Sequence, residues 1–142
     1  MREDNGKIYI LDTSALLTYI EDEKGSDVID DILIKAEKGE VRIYISFISL
    51  TEVYYITMQE KGESEALRRI SLIQSLSLTV EESNEDLNLK AGSLKAANRI
   101  SIADAYIAAL CQQYEGVLVH KDPEFESLST LIKESRLPYK TS

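Results

Sequence analysis

Short apolar runs, rich in β-branched residues, alternate along this chain with longer segments whose apolar residues recur at helical spacing. The runs at residues 7–11, 41–46 and 117–119 predict buried strands, and residues 77–80 predict a further short strand. Strands that alternate with helices form a mainly parallel sheet with helices on both faces. The sequence therefore predicts an α/β fold of three layers, α/β/α, around a central sheet of four or five strands.

The predicted helix boundaries come from capping residues and helix breakers. Gly62 ends one helical pattern, and the spacing Ser-x-x-acid of a capping box opens two others, at Ser49 and at Ser101. An additional edge strand is predicted in the tail, around residues 137–139. The predicted helical segments are one that follows Asp12, one around residues 28–38, and those at residues 49–61, 63–76, 84–98 and 101–114, with a helical turn at residues 122–128.

Length and composition limit the class of protein. A chain of 142 residues with 44% hydrophobic content suits a single domain, residues 1–142, with one sizeable core. The net charge of -9 argues against a protein that coats nucleic acid through its overall charge, so contact with RNA or DNA has to be local and metal-assisted. The single cysteine, Cys111, lies in an apolar run and is interpreted as a buried small hydrophobe.

The start of the sequence and its apolar runs bear on localisation. Residues 1–6 lack the form of a signal peptide, and no apolar stretch approaches the roughly 18 residues of a membrane span. We therefore expect a soluble cytoplasmic protein with no membrane association.

Four acidic residues stand at the ends of apolar segments: Asp12, Glu52, Asp104 and Asp122. The ends of parallel strands and the starts of the helices that follow them gather at one edge of a sheet, so these carboxylates are expected to converge. Two carboxylates about 4 Å apart repel by roughly 4 kcal/mol at an effective dielectric of about 20. Convergence therefore predicts a divalent cation between them, because without metal some of the acids would have to be protonated.

Each acid also has a local explanation. Asp12 could simply cap a helix, and Asp122 could be a turn residue ahead of Pro123. Glu52 and Asp104 could be the acidic members of the two capping boxes. These explanations treat the acids one at a time and do not predict that all four occur at one sheet edge, so the set as a whole favours a metal site.

The runs at residues 10–17, 101–109 and 117–119, followed by the Asp-Pro-Glu-Phe run at residues 122–125, resemble PIN-domain ribonucleases, and their order along the chain adds to the resemblance. Length and single-domain design are most similar to the VapC toxins of prokaryotic toxin-antitoxin pairs. The resemblance implies the PIN-like three-layer fold. It also implies that the family's acidic positions fall on Asp12, Glu52, Asp104 and Asp122, with Thr13 as the hydroxyl residue that often follows the first acid.

This sequence departs from the family pattern at one position. His120 stands two places before the last acid, where the family frequently has a small hydroxyl residue, and Lys121 replaces a usually smaller polar neighbour. His120 is the only histidine and could bind phosphate or metal. A hydrogen-bonded structural role is favoured, because oxygen ligands already suit a hard cation and imidazole suits softer metals.

The function implied by the resemblance is a metal-dependent endoribonuclease that hydrolyses RNA phosphodiester bonds. In it the four acids would hold one or two Mg²⁺ (or Mn²⁺) ions. The resemblance also implies an antitoxin protein that blocks the site, and a homodimer. The alternative is a noncatalytic binding module of the same fold, with regulatory or scaffolding function, in which the acids are caps or a structural ion site.

Overall fold

The computed structural model describes residues 6–139, and its centre is a five-stranded sheet in which every strand is parallel to its neighbours. The predicted three-layer α/β fold is confirmed. The strands are β1 (Ile8–Leu11), β2 (Arg42–Ser46), β3 (Thr79–Glu81), β4 (Val117–His120) and β5 (Lys133–Arg136). The helices are α1 (Thr13–Ile20), α2 (Ser26–Glu37), α3 (Phe47–Lys61), α4 (Glu63–Ser75), α5 (Glu85–Ala97) and α6 (Ile102–Tyr114), and a 3₁₀ helix covers Pro123–Leu128.

The strand order is β3-β2-β1-β4-β5, so the central strand β1 pairs with β2 on one side and with β4 on the other. Ile10 of β1 lies opposite Tyr44 of β2 and Leu118 of β4. The chain therefore leaves β1 toward one edge of the sheet and returns later to build the other edge. In open parallel sheets such a reversal creates a crevice at the carboxyl ends of the strands, here between β1 and β4.

The two faces of the sheet carry separate apolar cores. Ile10 packs with α5 and α6 on one face, while its neighbours Tyr9 and Leu11 pack with α1 to α4 on the other. This alternation follows from the two-residue period of a strand. Cys111 is buried in the α6 core, as the sequence predicted. Within residues 6–139, no helix combines the length and apolar character needed to cross a membrane.

Two boundaries differ from the sequence predictions. The tail strand predicted around residues 137–139 is wrong, since the edge strand β5 is the polar segment Lys133–Arg136. An edge strand is paired on one side only and does not require an apolar sequence, whereas Pro138 has no N–H to contribute to a ladder. The helix predicted to open at Ser49 begins at Phe47 instead, because Ser46 caps it by accepting a hydrogen bond from the Ile48 amide at 3.3 Å.

Candidate active site

Asp12 joins the end of β1 to the start of α1 and is 2% exposed. Its Oδ1 accepts a hydrogen bond from the Ala15 amide at 2.7 Å, and the Ser14 hydroxyl donates to the same carboxylate at 2.7 Å. The helix-cap explanation is thus correct for Asp12. Burial raises its pKa from 3.8 to about 7; these hydrogen bonds lower it, and the nearby charge of Asp122 adds to the rise. A buried carboxylate with this pKa binds a proton or a cation readily.

Asp104 lies in the first turn of α6 and is 7% exposed. Its amide donates to the hydroxyl of the cap residue Ser101 at 3.1 Å, which is half of the predicted capping box. The other half is absent, because the Ser101 amide donates to Glu124 Oε1 at 2.7 Å instead. Asp104 Oδ2 is buried and has no hydrogen-bond partner among residues 6–139. The capping-box explanation of this carboxylate is therefore wrong.

Asp122 and Glu124 complete a cluster around Asp104. Asp122 precedes the 3₁₀ helix, and its Oδ1 accepts from the Glu124 amide at 3.0 Å. One carboxylate oxygen from each of the three acids lies within 4.8 Å of the other two. Burial raises the pKa of Asp104 well above its ordinary value, and the adjacent Glu124 and Asp122 raise it further. The predicted acids Asp104 and Asp122 are thus brought together.

Glu124 belongs to this cluster and was missed by the sequence reasoning. The sequence signal that could have found Glu124 is its position two residues after Asp122. The run Asp-Pro-Glu opens a helical turn and places both acids near the start of that turn. That signal is weak, because acidic residues commonly occupy the first turn of a helix, where they stabilise its dipole.

Glu52 is not one of the three acids of this cluster. It is in the second turn of α3, and the Thr13 hydroxyl donates to its Oε1 at 2.6 Å. The same hydroxyl lies 3.2 Å from the Ser49 hydroxyl, so Ser49 faces α1 and does not cap α3. The capping box predicted for Ser49 and Glu52 is wrong. Thr13, the residue that follows Asp12, instead ties Glu52 to the start of α1, across 39 positions of sequence.

His120 and Lys121 are both engaged within the protein. The two ring nitrogens of His120 contact the Asp122 amide and Glu134, at 3.1 and 2.8 Å. Lys121 Nζ lies 3.5 Å from Glu23 and donates to the carbonyl of Lys24 at 3.2 Å. These contacts favour a structural role for His120.

The donor set fits a hard divalent cation. All the converging groups are carboxylates, which suit Mg²⁺ or Mn²⁺ better than softer metals. The buried Oδ2 of Asp104, unpartnered within the described part of the chain, is the atom that a cation would satisfy. Ser14, which donates to Asp12, and Pro123, which follows Asp122, also line a cleft of about 350 Å³ whose other lining residues include members of α1 and α3.

The PIN domain family model matches residues 9–131, which include all five of these acids. The chain therefore belongs to the PIN domain family. A comparison with curated protein sequences gave no match.

Several solved structures similar to this chain come from toxin-antitoxin systems. VapBC2 of Rickettsia felis, bound to a DNA fragment from the promoter, gives a TM-score of 0.74 at 18% identity, covering 92% of this chain and 99% of that one. VapBC of Salmonella typhimurium, also DNA-bound, gives a TM-score of 0.72 at 19% identity, and the match covers 92% of this chain and 98% of that one. VapC20 of Mycobacterium tuberculosis is a toxin that cleaves the sarcin-ricin loop. It gives a TM-score of 0.69 at 16% identity, and the match covers 92% of this chain and 99% of that one. At these identities the similarity establishes the fold.

Proposed function

We propose that this protein is a metal-dependent endoribonuclease and the toxin of a toxin-antitoxin pair. The observation that carries the proposal is the cluster of Asp104, Asp122 and Glu124, in which one buried oxygen of Asp104 lacks a hydrogen-bond partner in residues 6–139. An arrangement of this kind is costly unless a cation compensates it. Membership of the PIN family and similarity to a toxin that cleaves RNA support the same conclusion.

The acids divide between binding metal and handling protons. Asp12, Asp104 and Asp122 would hold Mg²⁺ or Mn²⁺, with Glu124 completing the cluster. When bound, the cation makes a water molecule more acidic and neutralises charge that develops on the phosphate. Glu52, half-buried and held by Thr13, would accept or orient the proton of the attacking water. Because the overall charge is -9, the cation also supplies the local attraction for RNA phosphate.

The proposed antitoxin would occupy the cleft beside the acids. Apolar side chains of Leu17 and Ile56 line it together with the carboxylates of Glu21 and Glu60. A peptide with both apolar and basic side chains fits this lining and would shield the acids from RNA. The neighbouring Rickettsia and Salmonella structures are toxin-antitoxin complexes, which supports such a partner. Coexpression with an adjacent small open reading frame tests it, and failure to copurify would favour a free-standing nuclease. The same similarity leads us to propose a homodimer acting in the cytoplasm.

The experiment that tests the proposed function is RNA cleavage by purified protein with Mg²⁺ or Mn²⁺, compared with chelator. Asp12→Asn should abolish cleavage and keep the fold, because an asparagine oxygen can still cap α1. Asp30→Asn is the matched control, since Asp30 is an exposed aspartate on α2. An undiminished rate in Asp12→Asn would reject the proposed role of Asp12.

The same assay separates the noncatalytic alternative, because both functions allow metal binding. Protein that binds Mn²⁺ and leaves RNA intact would support a binding module. Cleavage that persists equally in chelator, or in all acid variants, would identify a contaminating nuclease.

A further inference from the structure

The turn that presents Asp122 is anchored to a buried histidine. His120 ends β4, is 0% exposed and packs against Phe125 with ring centroids 5.1 Å apart. Its Nδ1 lies 3.1 Å from the amide nitrogen of Asp122, which donates to it. The backbone at the first residue of the turn is therefore fixed by a side chain from inside the core.

This contact determines where the imidazole carries its proton. A backbone amide can only donate, so Nδ1 must present its lone pair and the ring proton must sit on Nε2. Nε2 lies 2.8 Å from Oε1 of Glu134, a β5 residue whose side chain is 10% exposed. A carboxylate accepts the Nε2 proton, and His120 is thus held in one neutral tautomer by Glu134.

The anchored turn carries two members of the acid cluster. Asp122 receives the His120 contact at its amide, while its carboxylate accepts from the Glu124 amide at 3.0 Å. Glu124 in turn reaches the Ser101 amide at the start of α6. A shift of the turn would therefore move both Asp122 and Glu124 relative to Asp104, and metal sites tolerate only about 0.5 Å of such displacement.

We propose that His120 is a positioning residue for the metal site, with Glu134 as the group that fixes its tautomer. His120 contacts no metal in this role and acts through the backbone of Asp122. The proposal rests on the proposed metal-dependent function. It differs from an apolar core role, in which only the packing of the ring against Phe125 would matter.

The tautomer can be tested in the unaltered, metal-free protein. His120 is the only histidine, so the imidazole nitrogen resonances are assigned without ambiguity. Nitrogen-15 spectroscopy near neutral pH should show a protonated Nε2 and an unprotonated Nδ1. A protonated Nδ1, or a mixture of tautomers, would overturn the proposal.

Two substitutions separate positioning from packing. His120→Asn offers an oxygen acceptor near the site of Nδ1, whereas His120→Leu keeps apolar volume and removes the acceptor. Mn²⁺ affinity, measured by calorimetry without RNA, should fall roughly 10- to 100-fold in His120→Leu, the range for groups that orient metal ligands. His120→Asn should recover most of the affinity. Equal affinity of His120→Leu and the unaltered protein would contradict the proposal.

A second pair covers the case in which His120→Leu does not fold. Glu134→Leu keeps the imidazole and its contact with the Asp122 amide but removes the acceptor of the Nε2 proton. The ring is then held from one side only, so Mn²⁺ binding should weaken and the nitrogen resonances should shift. Glu134→Gln retains an oxygen acceptor and is the control. Unchanged affinity and spectra in Glu134→Leu would reject the role of Glu134.

Calorimetry and the cleavage assay test the positioning role and the nuclease function separately. Mn²⁺ binding without RNA cleavage in the unaltered protein would reject the nuclease and leave the positioning role standing. Cleavage that is intact and equally metal-sensitive in His120→Leu would reject the positioning role alone. An unaltered protein that binds no Mn²⁺ would overturn both.

Discussion

Arg69 and Asp104 are both ionisable and buried, at 4% and 7% exposure, but their surroundings are opposite. The Arg69 guanidinium lies 3.2 Å from Glu21 and 3.1 Å from Glu65, and its Nη1 also reaches the Thr57 hydroxyl at 3.4 Å. It joins α1, α3 and α4. Asp104 instead faces two other carboxylates, and its Oδ2 lacks a hydrogen-bond partner in the residues that the structure describes.

The difference separates a charge that its own chain neutralises from a carboxyl group that we propose to bind metal. Arg69 is neutralised and hydrogen-bonded by its own chain, as a buried charge must be to avoid a large desolvation cost. The acid cluster instead gathers like groups, and Asp104 keeps its proton to a pKa well above its ordinary value, a proton that a bound cation would replace. Shifted pKa values of this kind are typical of functional sites. Substitutions at the two places should therefore have opposite consequences.

The largest effect is expected for Asp104→Asn. Mn²⁺ affinity should fall by more than the roughly 100-fold seen when only a group that orients a ligand is lost, because the oxygen at the centre of the cluster loses its charge. The thermal midpoint of the metal-free protein should rise, since an uncharged amide can donate to the neighbouring carboxylates. Calorimetry and thermal denaturation in chelator measure the two effects.

The opposite sign of these two effects is the decisive point. If Asp104→Asn lowered the metal-free midpoint, Asp104 would be a structural group like Arg69, and the comparison would fail. Asp30→Asn, on an exposed face of α2, should change neither quantity.

The next effect is expected for Arg69→Met. Removing one partner of a buried ion pair costs about 3–5 kcal/mol, and because Glu21 can regain water we expect about 2 kcal/mol of lost stability. Mn²⁺ affinity should not change. Urea denaturation measures the loss. Arg68→Ala is the matched control, since its bridge to Glu65 is 60% exposed on the arginine side and should leave the midpoint unchanged. An equal loss of stability in Arg69→Met and Arg68→Ala would show that burial of the Arg69 ion pairs makes no difference to stability.

The smallest effect is a pH dependence. The pKa of Asp12 is about 7 in the folded protein, against 3.8 ordinarily, and that of Asp104 is also raised. Over the intervening pH range the folded state binds more protons than the unfolded state, so the free energy of unfolding falls as pH rises. Metal-free protein should lose a few degrees of thermal midpoint between about pH 5 and about pH 8.

Saturating Mn²⁺ should remove most of this slope, because the metal replaces the protons. The Asp12→Asn variant should show a weaker slope in chelator. A midpoint that rises over this range in metal-free protein would mean that the acids are compensated by the chain itself.

The fold could be predicted from the sequence because the patterns that indicate strands and helices are local. Apolar runs with a two-residue period and segments with a helical period report which face of each element is buried, whatever the rest of the chain does. The errors arose where local signals competed. The capping-box spacing favoured Ser49 as the helix cap, whereas β2 ends at Ser46 and that residue caps α3. The polar strand Lys133–Arg136 gave no apolar signal because it lies at the sheet edge.

By itself the sequence determined that acids follow the strands and begin the helices, with Asp12 at the cap of α1 as the clearest case. Only the tertiary structure decided which acids meet. Glu124 reaches Ser101 across 23 positions, Glu52 reaches Thr13 across 39, and His120 finds Glu134 on the edge strand. These contacts depend on the order in which the strands pair and the helices pack. The residues next to a given position in sequence do not determine that order.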